Sequence, residues 1–461
     1  MFKQLFGFIN SSNTATHQND PALAGKIKKP EEKGVNKGDE IYPSSHQPIE
    51  VSPDIIDYLV PLNILDREER LGFIQDKTTL SMGQGSVVFK QGEPINSLYY
   101  LLEGTISLYI YDEKICEINS VKADVWFPLC SGNHYSVSAY AMTDIQVLRV
   151  SPDVMLNYYS YDINPFDPAD PHIPTEVRES KLFKAFCQVY SNGELPIPTL
   201  PSIIFQLRQA LQSKDVGINE VAEIIQMDPA IAGKLVQISN SVLYNPWTSF
   251  TNCKDAILHI GLTATRNFVF IESLRHVFYC DNSQINELLK EEWTKSIYLS
   301  CLCWVLASEN GGINPEEAQL AGLVSEIGNI PFFTSLVNIE KEYISADEIS
   351  LVLPYIGPKI GVEVLKSWGF SDELVKIPLL AENWFNDTSP QLKVSDIVIL
   401  SKLHAYIGTP KMPSLPPINS IPAFGKLKDC HLCPDNPVYY SLNVLNSAKN
   451  KVSMAENLLR L

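Results

Sequence analysis

Between Tyr161 and Pro174 the chain reads YDINPFDPADPHIP, with four prolines in a short run. Proline lacks an amide hydrogen and fixes its own φ, so neither a helix interior nor a central strand can pass through this stretch. The hydrophobic period differs on its two sides, and that change is the strongest constraint on the fold. Ahead of it, Ser86 to Ile110 (SVVFKQGEPINSLYYLLEGTISLYI) holds short β-branched and aromatic runs separated by Gly-Glu-Pro and Glu-Gly turns. Thr105 to Leu108 alternates with the period of a strand that buries one face, and DIQVLRVS (144–151) reads as a further strand. Behind it, Ile218, Val221, Ile224 and Ile225 fall at helical spacing. Asp228-Pro229 then reads as an N-cap followed by a proline in the first turn of a helix carrying Ile231, Leu235, Val236 and Ile238.

The expected architecture is multidomain α+β: an antiparallel β-roll over 51–160, a Pro/Asp-rich linker over 161–184, and an all-α domain over 185–410. A leader over 1–50, rich in polar residues, Pro and Gly, and a proline-rich tail over 411–461 flank them. Further helical patterns are predicted at 254–261, 264–278, 284–308, 315–326, 358–368 and 372–381, and a short helix at 451–460. A chain of 461 residues has length for two or three such cores.

Charge narrows the partners. With 36 Lys and Arg against 53 Asp and Glu, the net charge of -17 repels a nucleic-acid backbone unless a basic patch compensates, and the densest basic stretch, KIKKPEEKGVNK (26–37), is diluted by Glu31 and Glu32. No apolar run approaches the roughly 18 residues of a membrane span, and MFKQLFGFINSS is a poor secretory signal. Stable membrane insertion and nucleic-acid partners are therefore not expected. Nine scattered cysteines, an odd number, suit a reducing cytoplasm better than a disulfide framework.

The β segment resembles the cyclic nucleotide-binding domain family, through LVPLNILDREE (59–69), GSVVFKQGEPINSLYYLLEGTISLY (85–109) and SVSAYAMTDIQVLRVS (136–151). That resemblance implies a β-roll whose cassette holds a cyclic phosphate with a fixed Arg and a ribose hydroxyl with a Glu, because a buried phosphate needs a cation and N–H donors to offset desolvation. In the matching run, DVWFPLCSGNHYSVSA (124–139), Trp126 stands at the Glu position and Tyr135 at the Arg position. The degenerate pocket comprises Trp126, Ser131, Gly132, Tyr135 and Ser136, and the rings of Trp126 and Tyr135 are expected to fill it. Binding of a cyclic nucleotide in the family's manner is not expected.

The helical half resembles the HDOD domain family, a branch of the HD hydrolase superfamily lacking the catalytic residues. The matching pieces are LPIPTLPSIIFQLRQAL (195–211), INEVAEIIQMDPAIAGKLVQISNSVLYN (218–245), KDAILHIGLTATRNFVF (254–270) and LKSWGFSDELVKIPL (365–379). Metal-binding relatives need converging His and Asp ligands to hold a metal and activate water. Here the corresponding positions are Lys295, Ser325, Glu326, Gly357, Ala381, Glu382, Ser401 and Lys402, and no His-Asp dipeptide occurs among eight histidines. Glu326 and Glu382 could hold a hard cation or pair with Lys295. Within GLVSEIGNIPFF (322–333), Gly328 reads as a helix end and the apolar residues as core.

Other signals weigh less. Cys430 and Cys433 have ligand spacing, but a structural zinc wants four ligands and no second pair follows. Cys301 and Cys303 sit two apart on a helix and point to different faces. His259, His276 and His404 read as packing residues and His134 as a loop residue. The resemblance implies a bacterial-type signalling protein, with no catalytic residue, metal or cofactor, that acts on other signalling proteins through its helical domain. A ligand-gated sensor and an HD-type phosphohydrolase are the alternatives.

Overall fold

The structure is a computed structural model that describes residues 53–427, apart from 66, 75–78, 112, 122–125, 156–163, 171–172, 213–216, 242–248, 410 and 413–414. The leader, the CHLC segment, the helix expected at 451–460, Lys122 and His172 lie outside the described residues.

Among the described residues seven strands form two antiparallel sheets. One has the order β1 (Leu80–Met82), β7 (Ile145–Val150), β3 (Leu98–Glu103); the other runs β2 (Val87–Phe89), β6 (Ser138–Ala141), β4 (Thr105–Ile110), β5 (Glu113–Asn119). Leu101 pairs with Val147 in the first sheet and Ile106 with Ala141 in the second, and all four side chains are buried in one core. Gly104, between β3 and β4, has φ +93, and a Cβ there would lie 2.4 Å from the Asp144 carbonyl oxygen. The Glu-Gly turn read from the sequence is thus fixed by a close backbone approach as well as by backbone sign.

The rest is helical. The principal elements are α1 (Lys181–Ser191), α2 (Ser202–Gln212), α3 (Ile218–Gln226), α4 (Pro229–Ser239), α5 (Cys253–Ile260), α6 (Leu262–Leu274), α7 (Ser283–Asn310), α8 (Pro315–Val324), α9 (Asn329–Ser335), α10 (Ala346–Ser367) and α11 (Val394–Tyr406). Asp228 caps α4 by accepting from the amides of Ala230 (3.0 Å) and Ile231 (3.1 Å), with Pro229 in the first turn where no amide is needed. Farther along α4, Lys234 pairs with the buried Glu272 of α6 at 2.6 Å. Asn240 closes the loop after α4, bonding the backbone of Val236 and Phe250.

Beyond α1, α2 and α9, which the sequence reading does not name as helices, two elements depart from it. α10 begins at Ala346, twelve residues before the predicted 358, with Pro354 and Pro358 inside it. The second departure, α11, is absent from the predicted helices. It is buried from Val394 through His404, so it shows no polar stripe and hence no amphipathic period.

α7 is the common wall of two cores. Cys301 and Ile297 belong to the helical core built on Leu323, Ile327, Phe332 and Ile360, whereas Cys303, Leu299, Leu302 and Leu306 belong to a cluster that continues into the β-roll interior. The two cysteines face opposite ways, as their spacing requires. The stretch expected as a linker is partly core as well: Phe166 is buried against Phe183, Phe186 and Tyr190, and its amide donates to Glu363 at 3.0 Å. The first part of the expected tail behaves likewise. Ile421, Ala423, Phe424 and Leu427 are all buried in the cluster shared with the roll.

Among the described residues one helical run, Pro315–Asn338, is long and apolar enough to cross a membrane, and 78% of its apolar window is buried inside the fold.

Candidate functional site

α8 ends at Val324, and Ser325 and Glu326 follow in the turn that leads into α9. Ser325 is buried and its hydroxyl donates back to the Gly322 carbonyl at 2.8 Å, so it is spent on the helix end. Glu326 points instead to α11, where the Lys402 ammonium meets its carboxylate at 2.9 Å. Glu382, in the turn after the short helix Ile377–Leu380, closes on the same ammonium from another side. Lys402 is 1% exposed and its Nζ also lies 5.9 Å from the centroid of the Tyr406 ring.

Burial disfavours charge on Glu326 and Lys402, yet their pairing wins. Burial alone would raise the Glu326 carboxyl, but Lys402 outweighs it and the net shift is downward. Lys402 is pushed down by burial and up by Glu326 and Glu382, ending well above the usual ammonium range. Glu326 and Lys402 therefore remain charged at neutral pH.

A second arm of the network lies beside the first. Lys295 pairs with the buried Glu292 at 2.6 Å rather than with Glu326 or Glu382, which differs from the sequence expectation. Its distance from them is short enough that it and Glu326 still favour each other's charged form. Glu292 also accepts from Asn329 at 3.0 Å. Gly357 sits against that asparagine, since a Cβ on Gly357 would lie 2.5 Å from the Asn329 Oδ1. Gly357 leaves room for the network and contributes no side chain to it. Ala381 is buried, with its amide bonded to the Ile377 carbonyl at 2.9 Å, and Ser401 is buried on α11 beside Cys303.

Of the eight positions singled out, Glu326, Glu382 and Lys402 converge on one ion-paired cluster and Lys295 borders it. Glu292, Asn329 and Tyr406 were missed. Glu292 lies at the i−3 position from Lys295 on one helix, a spacing at which opposite charges meet, so that pair was available from the sequence. Gly328 stands at a helix end as expected, at the N-cap of α9, and has a packing role besides. Its φ is -68, and a Cβ there would fall 1.9 Å from the Gly357 carbonyl oxygen and 2.4 Å from the Gly361 amide nitrogen. It permits backbone contact between the Glu326 turn and α10.

A metal does not fit this donor set. The two carboxylates that could serve as hard ligands are already bridged by a buried ammonium, which repels a second cation at the same point. Among the described residues no group of three or more His, Cys, Asp or Glu is arranged to hold a metal ion.

In the roll, Tyr135 lies in the cassette region. It is buried, its hydroxyl donates to the Ser97 carbonyl at 2.7 Å, and its ring stacks on Phe89 with centroids 4.1 Å apart. Trp126 does not join it. The indole is 36% exposed and leans on Tyr58, with centroids 5.1 Å apart, because the cassette backbone there is tied outward by the Val60 amide donating to the Trp126 carbonyl. The expectation that both rings fill the pocket is therefore corrected to Tyr135 alone. A cavity of about 260 Å³ remains, lined by Phe89, Glu93, Asn96, Ser97, Tyr99 and Tyr135 among others, with a carboxylate at its wall and no Lys or Arg among its described lining residues. Its chemistry disfavours a phosphate. Ser131, Gly132 and Ser136 face away from this cavity toward the chain's own residues 419–425.

These features define a class: an antiparallel roll joined to a helical bundle that carries a lysine-centred charge cluster. Residues 197–383 match the family model for the HDOD domain, and residues 79–162 match that for the cyclic nucleotide-binding domain. The chain thus combines an HDOD domain with an N-terminal cyclic nucleotide-binding domain.

An uncharacterised protein of Treponema pallidum (strain Nichols) is 19% identical over 189 residues, covering 39% of this chain and 36% of its own length. The chain thus spans about a third of the curated relative it matches. Among solved structures, an HDOD domain protein with unknown function from Geobacter sulfurreducens is 19% identical, with a TM-score of 0.44, and the match covers 61% of this chain and 99% of that one. A candidate metal-dependent phosphohydrolase from Shewanella amazonensis SB2B is 24% identical, with a TM-score of 0.45, over 50% of this chain and 83% of that one. A candidate signal transduction protein from Marinobacter aquaeolei VT8 is 14% identical, with a TM-score of 0.41, over 70% of this chain and 75% of that one.

Proposed function

We propose that this is a non-catalytic, cytoplasmic regulatory protein of bacterial signal transduction, acting through contacts of its HDOD domain with other signalling proteins. One observation carries the reading: the Lys402 ammonium, 1% exposed, bridges Glu326 and Glu382 where a hydrolytic relative would need metal ligands. Replacing a labile cation by a covalently tethered one retains the electrostatic balance of the scaffold and removes the Lewis acid that would activate water. What remains is a rigid helical surface suited to recognition.

The test is metal content by mass spectrometry after purification with added Mn²⁺ or Fe²⁺, together with turnover of a generic phosphodiester. The expected result is substoichiometric metal and no turnover above buffer. Stoichiometric metal, or turnover abolished by Glu326→Ala, would sink the proposal. The ligand-gated alternative is tested by titration calorimetry with cAMP and cGMP. No heat of binding is expected, because the described lining of the cavity bounded by Tyr135 and Glu93 offers a phosphate no cation.

A further inference from the structure

The cassette of the roll is occupied by the chain itself. After α11 the backbone returns to the roll, and Ile418–Leu427 lies along the cassette. The Asn419 side-chain amide donates to the Leu129 carbonyl at 2.8 Å, and the Ser131 hydroxyl donates to the Ser420 carbonyl. A Cβ on Gly132 would come within 3.5 Å of Pro422, and one on Gly425 within 3.3 Å of the Ser136 Cβ. Three of the five positions that would form a nucleotide pocket therefore touch this strap. Its far end is tied to the helical domain by Lys426, which pairs with Asp387 at 2.9 Å and Asp396 at 3.2 Å. Ile421 and Phe424 are each 1% exposed.

An anion in such a cassette must be offset by a fixed cation. A peptide carries its donors and acceptors in neutral pairs and needs none. The loss of positive charge from Trp126 to Ser136 therefore suits a peptide ligand as well as it disfavours a phosphate. The contacts are of the kind that reads a sequence: one side-chain amide, one hydroxyl to a backbone carbonyl, a proline against a glycine, and a buried aromatic. We propose that the cassette is a peptide-binding site whose resident ligand is the chain's own Asn-Ser-Ile-Pro-Ala-Phe strap, held in cis and exchangeable as a unit. It could then be displaced by a segment of the same chemistry. The inference makes no use of the Lys402 cluster, so it and the reading of the helical site can fail separately.

The probe is a fluorescein-labelled peptide with the sequence of residues 415–427, LPPINSIPAFGKL, titrated into the full chain and followed by anisotropy. The wild-type site is filled at the millimolar effective concentration of a tethered ligand, so the peptide should bind poorly; Asn419→Ala/Lys426→Ala weakens the strap and should tighten apparent binding by about tenfold or more. A folded double variant that binds no better than wild type overturns the proposal. Hydrogen exchange on the wild-type chain decides the matter if that variant does not fold. Amides of Ser420, Ile421, Phe424 and Leu427 should exchange by an opening that leaves β3, β4 and α7 protected. Exchange of the strap only together with those elements would show it to be an inseparable part of the core and refute the idea.

Discussion

Replacing Lys402 by methionine keeps most of the side-chain volume and removes one charge. In the wild type its ammonium is 1% exposed and bonded to Glu326 at 2.9 Å and to Glu382. Without it two carboxylates face one another beside a buried helix, and breaking a buried pair by deleting one partner costs about 3–5 kcal/mol. Glu382 is about one-third exposed, so solvent relieves part of that cost and the lower end of the range applies. At about 2 °C per kcal/mol for a domain of this size, the transition of the helical domain should fall by about 6 °C.

The pH dependence follows from the pairing. In the wild type Glu326 has a lowered carboxyl, so its contribution is present above the unfolded carboxylate value and is lost as pH falls through the folded one. In Lys402→Met the same carboxyl loses its cation and rises, so the variant gains relative stability as pH falls through that raised value. The deficit measured by calorimetry should therefore shrink between pH 7 and pH 4. Adding Glu326→Gln and Glu382→Gln to Lys402→Met should recover more than half of the loss, because replacing a whole buried ion cluster by neutral groups is often tolerated. A deficit under about 1 kcal/mol, or one that grows on acidification, would refute the reasoning.

Gly328→Ala forces a Cβ to within 1.9 Å of the Gly357 carbonyl and should destabilise by about 3 kcal/mol, whereas Gly361→Ala, which meets the Pro378 side chain at 2.8 Å, should cost less; urea unfolding ranks the two. Tyr135→Phe removes the bond to the Ser97 carbonyl and should cost about 1 kcal/mol without changing the fold by circular dichroism. Lys402→Asp exchanges the ammonium for a third carboxylate beside Glu326 and Glu382, and should bind Mn²⁺ measurably more tightly than the wild type by electron paramagnetic resonance.

The roll and the early helices were legible because their signals are local. The Glu-Gly turn at Gly104 and the Asp228-Pro229 cap each act through nearby backbone. α11 was not legible, since a helix buried on every side has no polar face to give a period. The start of α10 was hidden because Pro354 and Pro358 interrupt its helical signal, although the helix runs through both. At the site, the family resemblance located Glu326, Glu382 and Lys402, but only the fold could join α11 to the turn after α8. The cation offered as one alternative partner for the glutamates was Lys295, which pairs instead with its own helix neighbour Glu292. Trp126 shows the converse limit, for its position in the motif said nothing of the outward backbone that carries it to Tyr58.

The strap also sets an order of assembly. Ser131 and Ser420 are separated by 289 positions in the chain, and Leu129 and Asn419 by 290. During synthesis, at about 5–20 residues per second, the roll leaves the ribosome roughly 15–60 s before the segment that completes its wall exists. Until then Leu129, Val137 and their neighbours form a core with one side open to water. The last described turn of the chain is therefore what covers that side of the first domain.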